Sequence, residues 1–238
     1  MAVKIINLAQ LYPREMNIYG DTGNIKVLLW RLQHRGFKTA LRPLNIGDKL
    51  PADTDIIVGG GGQDSGQGKI MPDLLKKGDE LRAMAGDGVT MLLVCGLYQL
   101  FGHRFVTDEQ QEIKGISVFD AETLAGQRRL IGNIVVQSPF GRLVGFENHS
   151  GLTKLANDQL PLGKVIKGQG NDGSSGKEGA VMHNVFGTYL HGPILPKNPR
   201  FADELLLRAI KRRYGASDLS EIDDSLALRA ADIAAKRP

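Results

Sequence analysis

The sequence predicts an α/β fold: a mostly parallel central sheet with helices on both faces, an antiparallel extension, and helices at the C-terminal end. Three observations carry this. Continuous apolar runs such as "DIIVGG" and "VTMLLV" read as strands buried on both faces, the pattern of a parallel sheet. Amphipathic helical stretches separate them, so strand and helix alternate along the first half. Beyond Gly115 the texture changes to short β-type runs broken by glycine-rich turns, and two helical stretches close the chain.

In order, "VKIINL" (Val3–Leu8) is a short β-type run. After a loop holding Pro13, Asn24–Gly36 sets Val27, Leu28, Trp30 and Leu32 on a helical period and ends at a glycine stop. "KTALRPL" reads as an edge strand, because Pro43 cannot donate to a sheet ladder. "TDIIVGGGG" (Thr54–Gly62) is a buried strand running into glycines, and "MPDLLKKGDELRAMAGDG" is a helix with Pro72 in its first turn and Gly86 after its last. "VTMLLV" is the next strand. "RRLIGNIVVQS", "GRLVGFENHSG", "LGKVIKG" and "EGAVMHNVFGTYLHG" form the extension, with Gly168–Gly179 as a surface loop. "PRFADELLLRAIKRRY" and "SEIDDSLALRAADIAAK" are the closing helices. The expected organisation is one α/β domain over 1–196, with 197–238 as a helical tail packed on it.

Composition narrows the class. In 238 residues, 42% are hydrophobic and 24% charged, ordinary for a soluble globular protein. No apolar run approaches the roughly 20 residues of a membrane helix, and "MAVKIINLAQ" lacks the apolar region and cleavage signature of a secretion signal. A single cysteine excludes an internal disulfide framework and a multi-thiolate metal site. These features point to the cytosol. The net charge is +4, densest at Arg208, Lys211, Arg212 and Arg213. With no aromatic interleaving or nucleic-acid motif, that cluster reads as a solvated helix face.

The lone cysteine sits where chemistry would want it. A parallel strand ending at Val94 brings Cys95 to the carboxyl edge of the sheet, where open α/β folds bind ligands. Gly96 permits a tight strand-to-helix turn, the logic of a nucleophile elbow. A helix N-terminus there favours a thiolate, and the next backbone N–H can face an oxyanion. The plainer reading is that a free cysteine is often simply packed. The glycines of "GGGGQD" end a neighbouring strand and could complete an oxyanion hole, or serve only as a turn. No G-K-[ST] follows them, so this is not a Walker A loop. His191, at a strand end before Gly192 and Pro193, is the candidate general base. His149 and His183 compete with it. The scattered histidines do not form a two-histidine metal motif.

The blocks "LYPREMNIYGDTGNI", "GGGGQD", "VCGLYQLFG", "RRLIGNIVV", "GFENHSG", "TYLHGPILPKNP" and "DDSLALRA" resemble, in order, the class I, triad-type glutamine amidotransferases with their flavodoxin-like fold. The likeness is to the cobyric-acid-synthase-like (CobB/CobQ-like) branch, and within it to the glutaminase subunits of lipid II isoglutaminyl synthases. The resemblance implies that Cys95 attacks the side-chain amide of L-glutamine and that His191 relays its proton. It implies that Gly96 with Gly61 or Gly62 holds the oxyanion, and that Arg129, beside Arg128, binds the substrate's α-carboxylate. Gln99 and Glu147 are candidate supporting residues, Glu147 equally a structural clamp on backbone N–H groups. Asp21 and Asn24 line the pocket or an interface, or cap a helix.

Two departures stand out. Leu97 replaces a second glycine at the elbow, and Pro193 stands where many relatives carry the triad glutamate, which favours a Cys–His dyad. The resemblance further implies a heterodimer with a MurT-type, Mur-ligase-like subunit. That partner would hold ATP, no cofactor or metal being expected in this chain. It would amidate the α-carboxyl of D-glutamate in membrane-bound lipid II, for peptidoglycan synthesis, placing the complex in the cytoplasm at the inner membrane face. Neither nucleic acid nor membrane insertion is expected. A DJ-1/PfpI-type cysteine hydrolase or stress protein, and a non-catalytic assembly subunit whose pocket Leu97 closes, are the other readings.

Overall fold

The computed structural model describes residues 4–215 and 218–237. Val3, the expected start of the first strand, lies outside them, as do positions 216, 217 and 238 of the expected tail. The first half alternates as its apolar pattern dictates: β1 (Ile5–Leu11), α1 (Thr22–Gln33), β2 (Lys38–Leu44), β3 (Ile56–Gly59), α2 (Asp64–Gly86), β4 (Thr90–Val94) and the short α3 (Gly96–Leu100). β5 (Arg104–Val106), β6 (Glu112–Lys114), β7 (Ala121–Ser138), β8 (Gly141–Leu155), β9 (Gly163–Lys167) and β10 (Lys177–Glu178) follow. β11 (Ala180–Met182), β12 (Val185–Thr188), α4 (Pro199–Tyr214) and α5 (Ser225–Lys236) close the chain.

One sheet runs β11-β12-β4-β3-β1-β2. β2, β1, β3, β4 and β12 are mutually parallel, and β11 joins the edge antiparallel to β12. β3 and β4 are buried at every residue, which explains their uninterrupted apolar sequence. β2 is the outer strand, as Pro43 requires. β1 steps to β2 on one side while β3 steps to β4 on the other, so right-handed crossovers place α1 and α2 on opposite faces. The order reverses between β1 and β3. Crevices for ligands form at such a switch point, outside the carboxyl ends of the strands.

The extension is a second sheet, β10-β9-β7-β5-β6, with β8 paired to β7. β7 and β8 make one long antiparallel hairpin, and the register slips between Ala125 and Leu130. These strands are longer than their glycine-broken sequence suggests, because Gly132, Gly141, Gly145 and Gly151 are all paired within the β7–β8 ladder. The run "VFGT" belongs instead to the first sheet, where β12 pairs parallel with β4.

Helix α2 corrects the sequence reading. It begins at Asp64, directly after the glycine turn, and carries Pro72 in its interior. Gly66 and Gly68 in its first turns have poor helix propensity and mask that start. α5 is also shorter than expected, beginning at Ser225. Three members of the basic cluster on α4 are tied down: Arg212 pairs with Asp87, Arg213 with Asp55 at 3.0 Å, and Arg208 with Glu204 at 2.8 Å.

Candidate active site

Cys95 forms the turn between β4 and α3 with φ +52° and ψ −107°. An L residue pays roughly 1–3 kcal/mol for such a backbone, which persists only when surroundings impose it. The Cys95 N–H remains in the sheet ladder, donating to Thr188 O at 2.9 Å, while its carbonyl accepts the Gln99 N–H of α3 at 3.0 Å. The residue is thus pinned on both sides. Gly96 leaves room for its neighbours: a Cβ there would lie 2.7 Å from Met16 Cε and 3.2 Å from Gln67 Nε2 and would push both side-chain ends aside.

Leu97 is fully buried and turned away from the site. A Cβ on Gly59 would sit 2.3 Å from Leu97 Cδ1, so the leucine fills the space that glycine leaves at the end of β3. It does not wall off the thiol. A polar cavity of about 390 Å³ opens over Cys95, lined by Tyr19, Gly62, Asp64, Gln99, Arg129 and His149 among others.

Cys95 and His191 converge on Gly61. A Cβ at Gly61 would lie 3.1 Å from Cys95 Cβ and 3.4 Å from His191 Cε1. His191 is held from its backbone, exchanging N–H···O bonds with Phe146 of β8 at 2.8 and 3.2 Å. Its ring tilts against Tyr19, with centroids 4.3 Å apart. Both ring nitrogens are buried without a hydrogen-bond partner.

Glu147 does not orient this histidine. Its carboxylate accepts the N–H groups of Gln169 and Gly170 at 2.7 and 2.8 Å, the clamp on backbone that the sequence left open. Gln99 is buried at the cavity wall, accepting from Gln67 at 3.0 Å and donating to the Tyr189 hydroxyl at 3.1 Å. Asn24 accepts the Leu195 N–H at 3.0 Å, and Asp21 makes no side-chain cap on α1.

The glycine turn is only partly free. The Gly61 N–H donates to Asp21 Oδ2 at 2.8 Å, so it is committed elsewhere. Gly62 lines the cavity, and the Gly96 N–H meets the thiol. Arg129 lines the cavity too, its guanidinium donating to Asn148 Oδ1 at 2.5 Å and to the Tyr19 hydroxyl at 2.7 Å. Tyr19 and Asn148 escaped the sequence reading. The signal for Tyr19 was its place in the loop after β1, at the switch-point edge.

Burial pushes the Cys95 thiol up to about 12. Asp21 adds to the rise, while Arg129 and the Gly96 N–H oppose it. The dipole of a five-residue helix opposes this desolvation only weakly, so burial works against the thiolate that the turn alone would favour. Burial likewise lowers His191 to about 3, with His149 and Arg129 adding to the fall. His149 is lowered to about 4, chiefly by burial. Burial therefore favours the neutral form of both the thiol and the imidazole, which meet around Gly61 without a hydrogen bond to either ring nitrogen. Among the described residues, no cluster of His, Cys, Asp and Glu is arranged to hold a metal ion.

A CobB/CobQ-like glutamine amidotransferase domain model matches residues 7–199, from β1 to the start of α4. The chain belongs to the CobB/CobQ-like glutamine amidotransferase family. It is 38% identical, over 92% of its length and 90% of the relative's, to the lipid II isoglutaminyl synthase (glutamine-hydrolyzing) subunit GatD of Staphylococcus aureus. It is 39% identical to the same-named subunit of Streptococcus pneumoniae, over 88% of this chain and 82% of that one. Among solved structures, PurLQS from Thermotoga maritima superposes with a TM-score of 0.59 at 16% identity, covering 87% of this chain and 99% of that one. A glutamine amidotransferase from Thermotoga maritima gives 0.53 at 16% identity, covering 96% and 93%. These structures share the class I amidotransferase fold. No helix among the described residues is long and apolar enough to cross a membrane.

Proposed function

We propose that this chain is the glutaminase subunit of a GatD-type lipid II isoglutaminyl synthase. It would hydrolyse L-glutamine at Cys95 and His191 and pass ammonia to an ATP-dependent, MurT-type ligase subunit. The observation that carries the reading is the convergence of Cys95 and His191 on Gly61 beside an arginine-lined polar cavity. The high identity to two GatD subunits, over most of both chains, supports the assignment of partner and acceptor.

Arg129 binds the glutamine α-carboxylate, and the side-chain amide reaches over Cys95. A thiol held near 12 does not ionise ahead of attack. His191 takes the thiol proton as the sulfur–carbon bond forms, so charge appears only as a close pair. The oxyanion is met by the N–H groups of Gly96 and Gly62. The imidazolium then protonates the amide nitrogen, the C–N bond breaks, and ammonia leaves a γ-glutamyl thioester. Water, deprotonated by His191, attacks that thioester. Glutamate departs and the sulfur regains its proton. No phosphate cradle is present in the sequence, so activation of the D-glutamate α-carboxyl by ATP belongs to the partner. Ammonia protonates in water, which favours a closed passage between the two sites.

The test uses the complex with its ligase. Cys95→Ala and His191→Ala abolish glutamate release and glutamine-dependent amidation, while ammonium salts restore amidation. Glutamine-dependent amidation surviving in Cys95→Ala would refute the proposal.

A further inference from the structure

We propose that Asp21 is a positioning residue of this site, fixing the glycine turn that faces Cys95 and His191. The inference rests on the reading of Cys95 as the acylated nucleophile. Asp21 precedes α1, where an aspartate ordinarily caps, yet it makes no capping bond. Its side chain instead turns inward and is 2% exposed. Oδ2 accepts the Gly61 N–H at 2.8 Å, and Oδ1 is buried with no hydrogen-bond partner. Burying a carboxyl group in this half-satisfied state is unfavourable, and a fold retains it where it serves the site.

The turn is gripped from both sides. A Cβ on Gly60 would lie 2.6 Å from Asp21 Oδ2 and 2.4 Å from the Met16 carbonyl oxygen. On the other side, Gly61 lies against Cys95, Tyr19 and His191. Asp21 therefore sets the orientation of the Gly60–Gly61 peptide, and through it where the Gly62 N–H stands relative to the thiol. Cys95 and Tyr19 both feel the charge of this carboxylate. Asp21 touches no reacting atom; it acts through the turn. Its effect belongs to the transition state, when the amide oxygen becomes an oxyanion, and not to binding of the amino-acid end at Arg129.

The experiment compares wild type, Asp21→Ala, Asp21→Asn and Cys95→Ala in the full complex, measuring kcat and KM for glutamate release from glutamine. Asp21→Ala is expected to lower kcat by about a hundredfold, the scale of a lost oxyanion donor, with KM little changed. Asp21→Asn keeps an oxygen that accepts the Gly61 N–H and recovers most of the loss. Wild-type kcat in Asp21→Ala, or a loss confined to KM, overturns the proposal. So does an Asp21→Asn enzyme as inactive as Asp21→Ala, since that outcome makes the charge, and not the acceptor, the active feature. Should Asp21→Ala fail to fold, Asp21→Asn decides alone: near-wild-type kcat supports positioning and a large loss rejects it. Cys95→Ala releasing glutamate at the wild-type rate would instead sink the nucleophile reading itself.

Discussion

Burial favours the neutral forms of Cys95 and His191, and that preference has a kinetic signature. Burial first, then the Asp21 charge, holds the thiol near 12. The thiolate fraction therefore rises about tenfold per pH unit across the accessible range. In the free protein, iodoacetamide should label Cys95 slowly at pH 7, with the rate still climbing at pH 10. A plateau near neutral pH would show a preformed thiolate. Both residues were legible in the sequence, because a strand end followed by glycine fixes where a side chain emerges. The clamp made by Glu147 was among the readings the sequence offered, but what Gly61 does was not legible. Its role depends on which carboxylate its N–H meets, and that partner lies 40 residues away in the chain. Leu97 likewise acquired a meaning only once Gly59 was found beneath it.

At the scale of elements, β3, β4 and β12 hold the site through contacts that tolerate little change. A methyl group at Gly59 would overlap Leu97 Cδ1. Gly59→Ala should cost about 1–3 kcal/mol, the usual penalty of overpacking. Adding Leu97→Ala should make the pair less than additive in urea denaturation; strict additivity would mean that the two side chains do not share this space. Glu178 holds the end of β12 from beneath, its Oε1 accepting from Thr188 Oγ1 and the Tyr189 N–H, both at 2.7 Å. Burial raises its carboxyl from 4.5 to about 7. Below about 4.5 both folded and unfolded states are protonated. From there to about 7 the unfolded chain releases its proton first, so this group's contribution to stability falls as pH rises. Glu178→Gln removes that slope. The variant's stability relative to wild type should therefore rise between pH 4.5 and 7 by on the order of 3 kcal/mol. The lowered histidines, His149 and His191, are common to both proteins and cancel. A pH-independent difference would contradict the raised carboxyl. Element order was readable from apolar periodicity. The true start of α2 was not, because position after a tight turn overrode the weak propensity of Gly66 and Gly68.

Across the whole molecule, a doubly wound sheet sets loops from β1, β3 and β4 around one crevice at its switch point. Buried charge locks the later helices to that sheet. Arg31 on α1 is 3% exposed and reaches Asp203 of α4 and Asp224 at the head of α5, each at 2.6 Å. Arg31→Met would strand Asp224, while Asp203 keeps its pair with Arg35 at 2.8 Å, and both carboxylates still touch water. The expected loss is roughly 2–3 kcal/mol, below the figure for a fully buried pair, read as a lower urea midpoint. An unchanged midpoint would remove this network from the account. Alternation of strands and helices made the sheet legible, whereas the long-range ion pairs had no local sequence signal. The central claim is that Cys95 takes the acyl group of glutamine. Its most direct test is labelling of the complex with a glutamine-mimicking diazoketone, followed by peptide mapping. A single adduct on Cys95, suppressed by glutamine, is the predicted result; an adduct elsewhere, or labelling of Cys95 that glutamine fails to prevent, would contradict it.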